Sequence, residues 1–259
     1  MKIILTIGAS DPTSGAGIQM DLKVFFALGV YGLSIITAVT AQSTKEFYSI
    51  YPLPDRIIIN QFETLLRDIK PHGAKTGVLY SRQAVKCVVD YVEKFNIKNL
   101  VVDPVIRSTT GGKLIDDDAL KTLKEALIPV SKAVTANLPE SETLTGIKIK
   151  KIDDMNKSAE KLVEMGTKIA IVKGGHFNKK LKVPDILYDG NNFYRIEAER
   201  ISGEFHGTGC AFSSALVSFM CLGYEIVEAL KASKDFVKKA IENSLKLGHG
   251  INLLMISKR

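Results

Sequence analysis

A turn of small residues, His206-Gly207-Thr208-Gly209-Cys210, stands directly before an apolar run from Ala211 to Leu222. Glycines let backbone N–H groups converge, and a helix that follows points the positive end of its dipole at the same place. This pattern is typical of an anion site. The helix field also favours a thiolate, so we predict a lowered pKa for Cys210 and a role as a base. Alternatively, the glycines only shape a loop and Cys210 is a small core residue.

Four further groups of polar residues follow predicted strands: Gln42, Asp103, Asn137 with Glu140, and Lys173-Gly174-Gly175. Because the carboxyl ends of parallel strands share one edge of a sheet, we expect these groups to meet in one crevice. An anion pocket, a carboxylate for hydrated Mg²⁺, a lysine and a base are the components of phosphoryl transfer. The plainer alternatives are a loop amide for Gln42 and a helix cap for Asn137 and Glu140.

Neither of the two standard phosphate-binding loops is present. Gly15-Ala16-Gly17 follows the first predicted strand, but Met20 stands where the dinucleotide fingerprint needs its third glycine. No G-x-x-x-x-G-K-[ST] motif occurs in the sequence. The acidic run Asp116-Asp117-Asp118 is predicted to cap a helix, because consecutive helical residues point in different directions and cannot converge on a metal.

Strands and helices alternate along almost the whole chain. This alternation predicts an α/β fold with a mostly parallel central sheet, formed as one domain over residues 1–259. Apolar segments at 185–188 and 193–196 flank Gly190-Asn191-Asn192 and predict a late antiparallel hairpin. The alternative is an eightfold barrel, which the chain length permits and which the hairpin and the uneven helix lengths disfavour.

Composition excludes several classes of function. The net charge is +7, but the lysines are scattered and form no basic stripe with aromatic residues, so we expect no nucleic-acid partner. The apolar runs are shorter than the ~20 residues of a membrane span. The first ten residues do not resemble a signal peptide, and we therefore expect a cytoplasmic protein that does not bind membranes. Cys87, Cys210 and Cys221 show neither disulfide nor metal-ligand spacing.

Several motifs occur together in one order along the chain. They are Thr6-Ile7-Gly8-Ala9-Ser10-Asp11-Pro12, Gly15-Ala16-Gly17-Ile18-Gln19 with Asp21-Leu22-Lys23, Ala41-Gln42-Ser43-Thr44, Lys75-Thr76-Gly77-Val78-Leu79, Asp103-Pro104-Val105, Asn137-Leu138-Pro139-Glu140, Lys173-Gly174-Gly175-His176, and His206-Gly207-Thr208-Gly209-Cys210. In this combination the chain resembles the ribokinase-like superfamily, and within it the hydroxymethylpyrimidine/phosphomethylpyrimidine kinases of thiamine biosynthesis. The resemblance implies a three-layer α/β/α fold.

The resemblance also implies an activity. It implies phosphorylation of the hydroxymethyl group of 4-amino-5-hydroxymethyl-2-methylpyrimidine by ATP and Mg²⁺, and then of the monophosphate to the diphosphate. Gln42 would read the aminopyrimidine, since its amide offers a donor beside an acceptor. The remaining residues have roles implied only by the resemblance: Asp21, Gly8, Ala9, Gly77 and Val105 would line the substrate pocket; Asp103, Asn137 and Glu140 would organise ATP and Mg²⁺; Lys173 would steady the phosphate; Gly207, Thr208 and Gly209 would form the anion hole.

The sequence departs from the superfamily at two places. Cys210 stands where most members have an aspartate base. Near the end of the chain, Gly248-His249-Gly250-Ile251-Asn252 resembles a family signature in which proline commonly stands at the position of Ile251. Two rival functions remain open, a pyridoxal kinase and a catalytically silent ligand sensor on the same fold. Similar enzymes are commonly dimers, so a homodimer is expected. No prediction is made for Leu253 to Arg259.

Overall fold

The fold is a large twisted sheet between two layers of helices, as seen in a computed structural model that describes residues 1–108, 111–175 and 182–257. The main sheet has nine strands in the order β3-β2-β1-β4-β5-β6-β7-β8-β9. Its strands are β1 (Ile3–Ser10), β2 (Tyr31–Gln42), β3 (Phe47–Pro52), β4 (Gly73–Thr76), β5 (Leu100–Val102), β6 (Ala133–Asn137), β7 (Ile169–Lys173), β8 (Lys182–Tyr188) and β9 (Phe193–Glu199). Strands β2, β1, β4, β5, β6 and β7 run parallel, while β3, β8 and β9 run antiparallel to their neighbours.

The helices connect these strands. They are α1 (Gly17–Ala27), α2 (Asp55–Asp68), α3 (Arg82–Lys94), α4 (Asp117–Thr122), α5 (Ile128–Val130), α6 (Leu138–Thr145), α7 (Ile152–Glu164), α8 (Thr208–Leu222) and α9 (Ile226–Glu242). A π-helical turn, Leu123–Leu127, joins α4 to α5. A second, two-stranded sheet pairs β10 (Phe205–His206) with β11 (Asn252–Leu253).

Successive side chains of the central strands enter opposite layers, as the two-residue period of a strand requires. Leu5 belongs to a core with residues of α2, α3 and α7, whereas Ile4 belongs to a core with residues of α1, α8 and α9. Both side chains are fully buried. The predicted three-layer α/β/α fold is therefore confirmed, and its near-continuous apolar strands follow from burial on both faces.

The open sheet rules out the eightfold barrel. The predicted hairpin is confirmed, with β8 and β9 paired antiparallel from Lys182 opposite Glu199 to Tyr188 opposite Phe193. Three strands escaped prediction. Strand β3 lies at the edge of the sheet with Tyr48 and Tyr51 exposed, so it lacks the apolar signal of a buried strand. Strands β10 and β11 have only two residues each. No helix in the described ranges is both long and apolar enough to cross a membrane.

Candidate active site

The carboxyl ends of the parallel strands surround one cavity of about 540 Å³. Every residue that the sequence singled out for chemistry lines it, as do parts of the loop after β1 and of the turn before α8. These predicted residues are Gly8, Ala9, Asp21, Gln42, Gly77, Asp103, Val105, Asn137, Glu140, Lys173, Gly207, Thr208, Gly209 and Cys210. The predicted crevice therefore exists. His176, the last residue of the Lys173 motif, lies outside the described residues.

The turn before α8 has the geometry of an anion site. Gly207 caps the helix with φ of 83°, and a Cβ at this position would lie 1.8 Å from the carbonyl oxygen of Gly15. Only glycine fits there. Because α8 begins at Thr208, the N–H groups of its first turn have no intrahelical acceptor and remain available to a ligand.

Cys210 behaves differently from the sequence-based expectation. The helix field was expected to lower the pKa of this thiol, but burial raises it to about 12, and the negative charges of Asp21 and Asp103 add to the rise. Lys75 and a hydrogen bond from the Gly17 backbone oppose this shift without cancelling it. Desolvation of the charged thiolate outweighs the helix dipole at this position. The thiol is therefore protonated at neutral pH in the ligand-free protein.

A lysine and an aspartate form an outer pair, Lys173 with Asp103, beside the anion turn. Lys173 Nζ lies 3.5 Å from Asp103 Oδ1, and Ser213 Oγ of α8 donates to Asp103 Oδ2 at 3.0 Å. Burial alone would lower the pKa of Lys173, but the charges of Asp103 and Glu140 outweigh it and raise the pKa. A Cβ on Gly209 would lie 3.7 Å from both charged groups, so the turn and the pair face each other across a narrow gap.

Asn137 and Glu140 form a capping box at the start of α6. Glu140 N donates to Asn137 Oδ1 at 2.9 Å, and Asn137 N donates to Glu140 Oε2 at 2.8 Å. The plain capping role is thus confirmed, yet both residues also line the cavity. Burial raises the pKa of Glu140 to about 7; Lys173 opposes the rise and Asp103 adds to it. Asn137 Nδ2 finds no partner among the described residues and can donate to a ligand.

The donor set at this edge suits a hydrated magnesium ion. Asp103 and Glu140 are buried carboxylates on one cavity, and the charge of Asp103 raises the cost of ionising Glu140. A divalent cation removes that cost. Mg²⁺ usually takes one or two carboxylates together with phosphate oxygens and water, which matches this pair of donors. Within the described ranges no three acidic, histidine or cysteine side chains cluster as a complete metal cage.

Gln42 ends β2 at a bulge in its pairing with β3. Its Nε2 donates to Thr40 Oγ1 at 3.0 Å, and that hydroxyl donates its only proton to the carbonyl oxygen of Ser10 at 3.0 Å. Thr40 must therefore accept from Gln42, which fixes the orientation of the amide. Gln42 Oε1 and the second proton of Nε2 have no partner among the described residues. An acceptor and a donor are left side by side at the cavity.

Asp21, predicted to line the substrate pocket, forms an inner pair with Lys75 beneath it. Lys75 Nζ lies 2.9 and 3.0 Å from the two carboxylate oxygens, and both residues are almost completely buried. Thr6 Oγ1 and Ser214 Oγ also donate to this carboxylate, at 2.5 and 2.7 Å. A Cβ on Gly77 would lie 3.3 Å from Lys75 Nζ, so the ammonium lies directly under the cavity floor.

Sequence reasoning assigned no role to Lys75, Ser213 or Ser214. It also assigned none to Asp11 and His206, two residues that line the cavity. The serines interrupt an otherwise apolar helix three and four residues after Cys210, and this spacing was an available signal, since such residues share a helix face. Lys75 stands in a buried strand, where an unpaired charge is costly. Its presence there implied a buried acid as partner.

Comparison with known proteins identifies the family. Residues 11–255 match the family described as phosphomethylpyrimidine kinase. The chain belongs to this family. Hydroxymethylpyrimidine/phosphomethylpyrimidine kinase of Bacillus subtilis is 41% identical over 247 residues, which cover 95% of this chain and 91% of the relative. The predicted kinase of thiamine biosynthesis is confirmed by these matches.

Solved structures of two kinds of kinase have the same fold as this chain. Phosphomethylpyrimidine kinase from Clostridium difficile superposes with a TM-score of 0.83 at 41% identity, covering 93% of this chain and 100% of the other. Pyridoxal kinase from Staphylococcus aureus, solved with AMP-PCP and pyridoxal, gives 0.90 at 32% identity and covers 98% of this chain and 93% of the other. Fold similarity therefore does not separate the two vitamin kinases, and the argument for a substrate rests on the site.

Proposed function

We propose that this phosphomethylpyrimidine kinase transfers the γ-phosphoryl group of ATP to the 5-hydroxymethyl group of 4-amino-5-hydroxymethyl-2-methylpyrimidine, and then extends the monophosphate to the diphosphate. The observation that carries the proposal is the single cavity that joins the Gln42 amide to the anion turn and to the outer pair. One end suits an aminopyrimidine and the other suits phosphates.

Gln42 supplies the recognition of the ring. Its Oε1 accepts from the exocyclic amine, and its Nε2 donates to the adjacent ring nitrogen, while Thr40 holds the amide in this orientation. Gly8 and Gly77 both line the cavity and are in van der Waals contact, with a hypothetical Cβ on Gly8 3.5 Å from Gly77 Cα. Their backbones form the glycine floor against which a planar ring would lie. Ala9 and Val105 supply apolar contacts beside it.

The residues at the other end bind and orient the phosphates. The first-turn amides of Thr208, Gly209 and Cys210 receive the oxygens of the migrating group, and Lys173 offsets their charge. Asn137 Nδ2 donates to a phosphate oxygen of the nucleotide. Where Mg²⁺ is bound, Asp103 and Glu140 hold it, and it neutralises charge on the transferred group. Phosphoryl transfer needs mainly positioning and electrostatic stabilisation, which these groups provide.

Cys210 is proposed to take the proton that leaves the substrate hydroxyl as the new O–P bond forms and the bond to the leaving ADP oxygen breaks. Because burial raises the pKa of Cys210, the thiol proton must first pass to bulk solvent, and the resulting thiolate then accepts the proton of the substrate hydroxyl. Lys75 is the cation whose charge lowers the pKa of Cys210. In a loose transition state the hydroxyl gives up its proton late, so the demand on the base is modest.

A substrate comparison tests the proposed reaction. We expect purified protein with ATP and Mg²⁺ to phosphorylate the aminopyrimidine with a kcat/KM at least about tenfold above that for pyridoxal, because only the aminopyrimidine satisfies both free positions of Gln42. The Gln42→Met variant, which removes the donor and the acceptor at similar size, should lose most of this preference. A wild-type preference for pyridoxal would overturn the assignment, and no ADP release with either alcohol would leave only a ligand-binding role.

Replacing the proposed base gives a second test. Cys210→Ala should lower kcat by roughly a hundredfold, in the range for loss of a general base, and leave the Kd of the aminopyrimidine nearly unchanged. Quench-flow and calorimetry measure the two quantities. Unchanged turnover would remove Cys210 from the chemical step while leaving the substrate assignment intact.

Three further proposals rest on the sequence analysis rather than on the site, and of these only the dimer rests on the resemblance. We infer that residues 1–259 form one kinase domain, that the protein assembles as a homodimer and that it is cytoplasmic. Sedimentation velocity at micromolar concentration tests the dimer, and a species with the mass of one chain would overturn it. Cell fractionation tests the location.

A further inference from the structure

Two motif residues without a role in the proposed reaction, Asp11 and His206, are bonded to each other across the cavity wall. His206 Nε2 lies 2.8 Å from Asp11 Oδ2, although 195 residues separate them in the chain. Both residues are almost completely buried. Asp11 begins the loop after β1 and His206 begins the anion turn, so this one bond joins the substrate side of the cavity to the phosphate side.

Asp11 organises the loop that it enters. Its carboxylate accepts from Thr13 N and Thr13 Oγ1 at 2.9 Å and from Ala16 N at 2.8 Å. Burial tends to raise the pKa of Asp11, but the bonds from His206 and Thr13 outweigh it and lower the pKa. The carboxylate is therefore charged and saturated with donors, and it has little capacity left for a ligand.

His206 is also unable to contact a ligand through its ring nitrogens. Nε2 is committed to Asp11, and Nδ1 is buried from solvent with no hydrogen-bond partner in the described chain. A group that binds phosphate or moves a proton needs a nitrogen that the substrate can reach. His206 lines the cavity wall without offering one.

The surrounding backbone shows what the pair holds together. Gly15 packs so tightly that its Cβ would lie 2.6 Å from His206 Cδ2 and 2.7 Å from a Leu253 methyl group. Gly207 lies against the Gly15 carbonyl, and Gly17 hydrogen-bonds to the thiol of Cys210 through its backbone. The position of the loop thus determines where the anion turn and Cys210 stand.

The C-terminal tail, which includes β11, also contacts the loop after β2 and the anion turn. Strand β11 pairs with β10, so that Leu253 stands opposite His206. The backbone amides of Gly250 and Ile251 bond to Thr44, which follows Gln42 by two residues, at 3.2 Å to Oγ1 and 2.9 Å to its carbonyl oxygen. The tail therefore connects the loop that follows β2 and Gln42 with the anion turn.

We infer that Asp11 and His206 are positioning residues for phosphoryl transfer, which hold the first-turn amides of α8 and the thiol of Cys210 in register with the substrate loop. The inference rests on the proposed function. Loss of the bond lets the two loops separate, and a displacement of about 1 Å at reacting groups can cost about 10²-fold in rate. Binding of the pyrimidine depends on Gln42 and the glycine floor, on the other side of the loop, and is preserved.

Three variants test this positioning role. We expect His206→Leu, which removes the donor, to lower kcat about 10- to 100-fold while KM for the aminopyrimidine changes less than about threefold. His206→Gln places an amide N–H near the position of Nε2 and should recover turnover to within about fivefold of wild type. Asp11→Asn keeps the size but weakens the acceptor, and should fall between them.

A matched control separates positioning from simple destabilisation. Ser131 Oγ donates to Thr167 Oγ1 at 2.8 Å in a buried bond at the opposite, amino-terminal edge of the sheet. Ser131→Ala should lower the melting temperature and leave kcat unchanged. If His206→Leu behaves like this control, or if glutamine fails to rescue turnover in a folded protein, the positioning role is wrong.

Hydrogen–deuterium exchange tests the positioning role by a measurement that does not depend on turnover. The amides of residues 207–212 and 13–17 should exchange at least about tenfold faster in His206→Leu than in wild type, with exchange at the distant α3 unchanged. Equal exchange at the two loops would overturn the inference even if the protein is a kinase. Faster exchange in a protein that releases no ADP would instead support the loop contact and overturn the proposed function.

Discussion

The site contains two lysine–aspartate pairs attached to the same helix by adjacent serines. In the inner pair, Lys75 binds Asp21, and Ser214 donates to the aspartate at 2.7 Å. In the outer pair, Lys173 approaches Asp103, and Ser213 donates to that aspartate at 3.0 Å. The chemical components are identical, so any difference in behaviour comes from their surroundings.

The surroundings differ in how far they satisfy the charges. Both oxygens of Asp21 are bonded to a fully buried ammonium, and two hydroxyls complete the carboxylate shell. Lys173 keeps 15% of its side chain exposed, lies 3.5 Å from its partner and shares the cavity with Glu140, whose pKa is raised. A saturated network fixes structure, whereas a network with spare charge is prepared for a ligand. The comparison predicts that the inner pair governs stability and the outer pair governs turnover.

The largest expected effect is on turnover through the outer pair. Lys173→Met should lower kcat about 10²- to 10³-fold, because a charge aimed at the transferred phosphate is lost. Because the Lys173 side chain keeps 15% of its surface exposed and lies on the open cavity, the melting temperature should fall less than in Lys75→Met. Steady-state kinetics and a thermal melt on the same sample check both quantities. A large loss of stability with normal turnover would remove the distinction between the two pairs.

The inner pair should respond in the opposite sense. Lys75→Met leaves the Asp21 carboxylate buried without its counter-ion, and we expect a loss of about 3–5 kcal/mol in the free energy of unfolding, measured in urea. The double variant Lys75→Met/Asp21→Asn removes both charges and should recover most of that loss. Failure of the double variant to recover would show that packing, rather than charge, is what Lys75 contributes.

The sequence could predict the outer site better than the inner one. Gln42, Asp103, Asn137 and Lys173 follow buried strands, and the rule that parallel strands end on one edge places them together without coordinates. The alternation of strands and helices likewise predicted the mostly parallel sheet and its late hairpin, both of which the structure shows.

What escaped prediction depends on contacts between distant segments. Lys75 and Asp21 are 54 residues apart. A lysine in a buried strand implies an acidic partner, but nothing in the sequence indicates that Asp21 is that partner. The pKa of Cys210 was predicted with the wrong sign because the helix dipole can be read from sequence, whereas the depth of burial cannot. The tail gave no periodic signal, since β11 is two residues long and is held by pairing with β10.

Glu140 allows the outer site to be probed by pH in the absence of nucleotide and metal. Its folded pKa of about 7 lies above the ordinary value of 4.5, so its contribution to stability is complete below pH 4.5 and is lost as the pH rises through about 7. The shift corresponds to about 2–4 kcal/mol. Glu140→Gln should remove this dependence and be the more stable protein at pH 8. Denaturant unfolding from pH 5 to 8 checks the slope, and parallel curves for the two proteins would contradict the shift.

The smallest effects come from the adjacent serines and separate the two pairs most cleanly. Each Ser→Ala change removes one hydroxyl bonded to a carboxylate, worth about 1.5–3 kcal/mol where it is lost in a buried site. Ser214→Ala should therefore lower the free energy of unfolding by roughly that amount with kcat within about twofold of wild type. Ser213→Ala frees Asp103 to shift toward Lys173 and should lower kcat about three- to tenfold. Its loss of stability should be smaller, because the one hydroxyl proton of Ser213 is shared between Asp103 and the carbonyl oxygens of Gly209 and Cys210. Both serines lie on α8, and the same Ser→Ala substitution is made at each. If the two variants changed equally in stability and in kcat, the helix, and not the lysine–aspartate pair that each serine contacts, would determine the response.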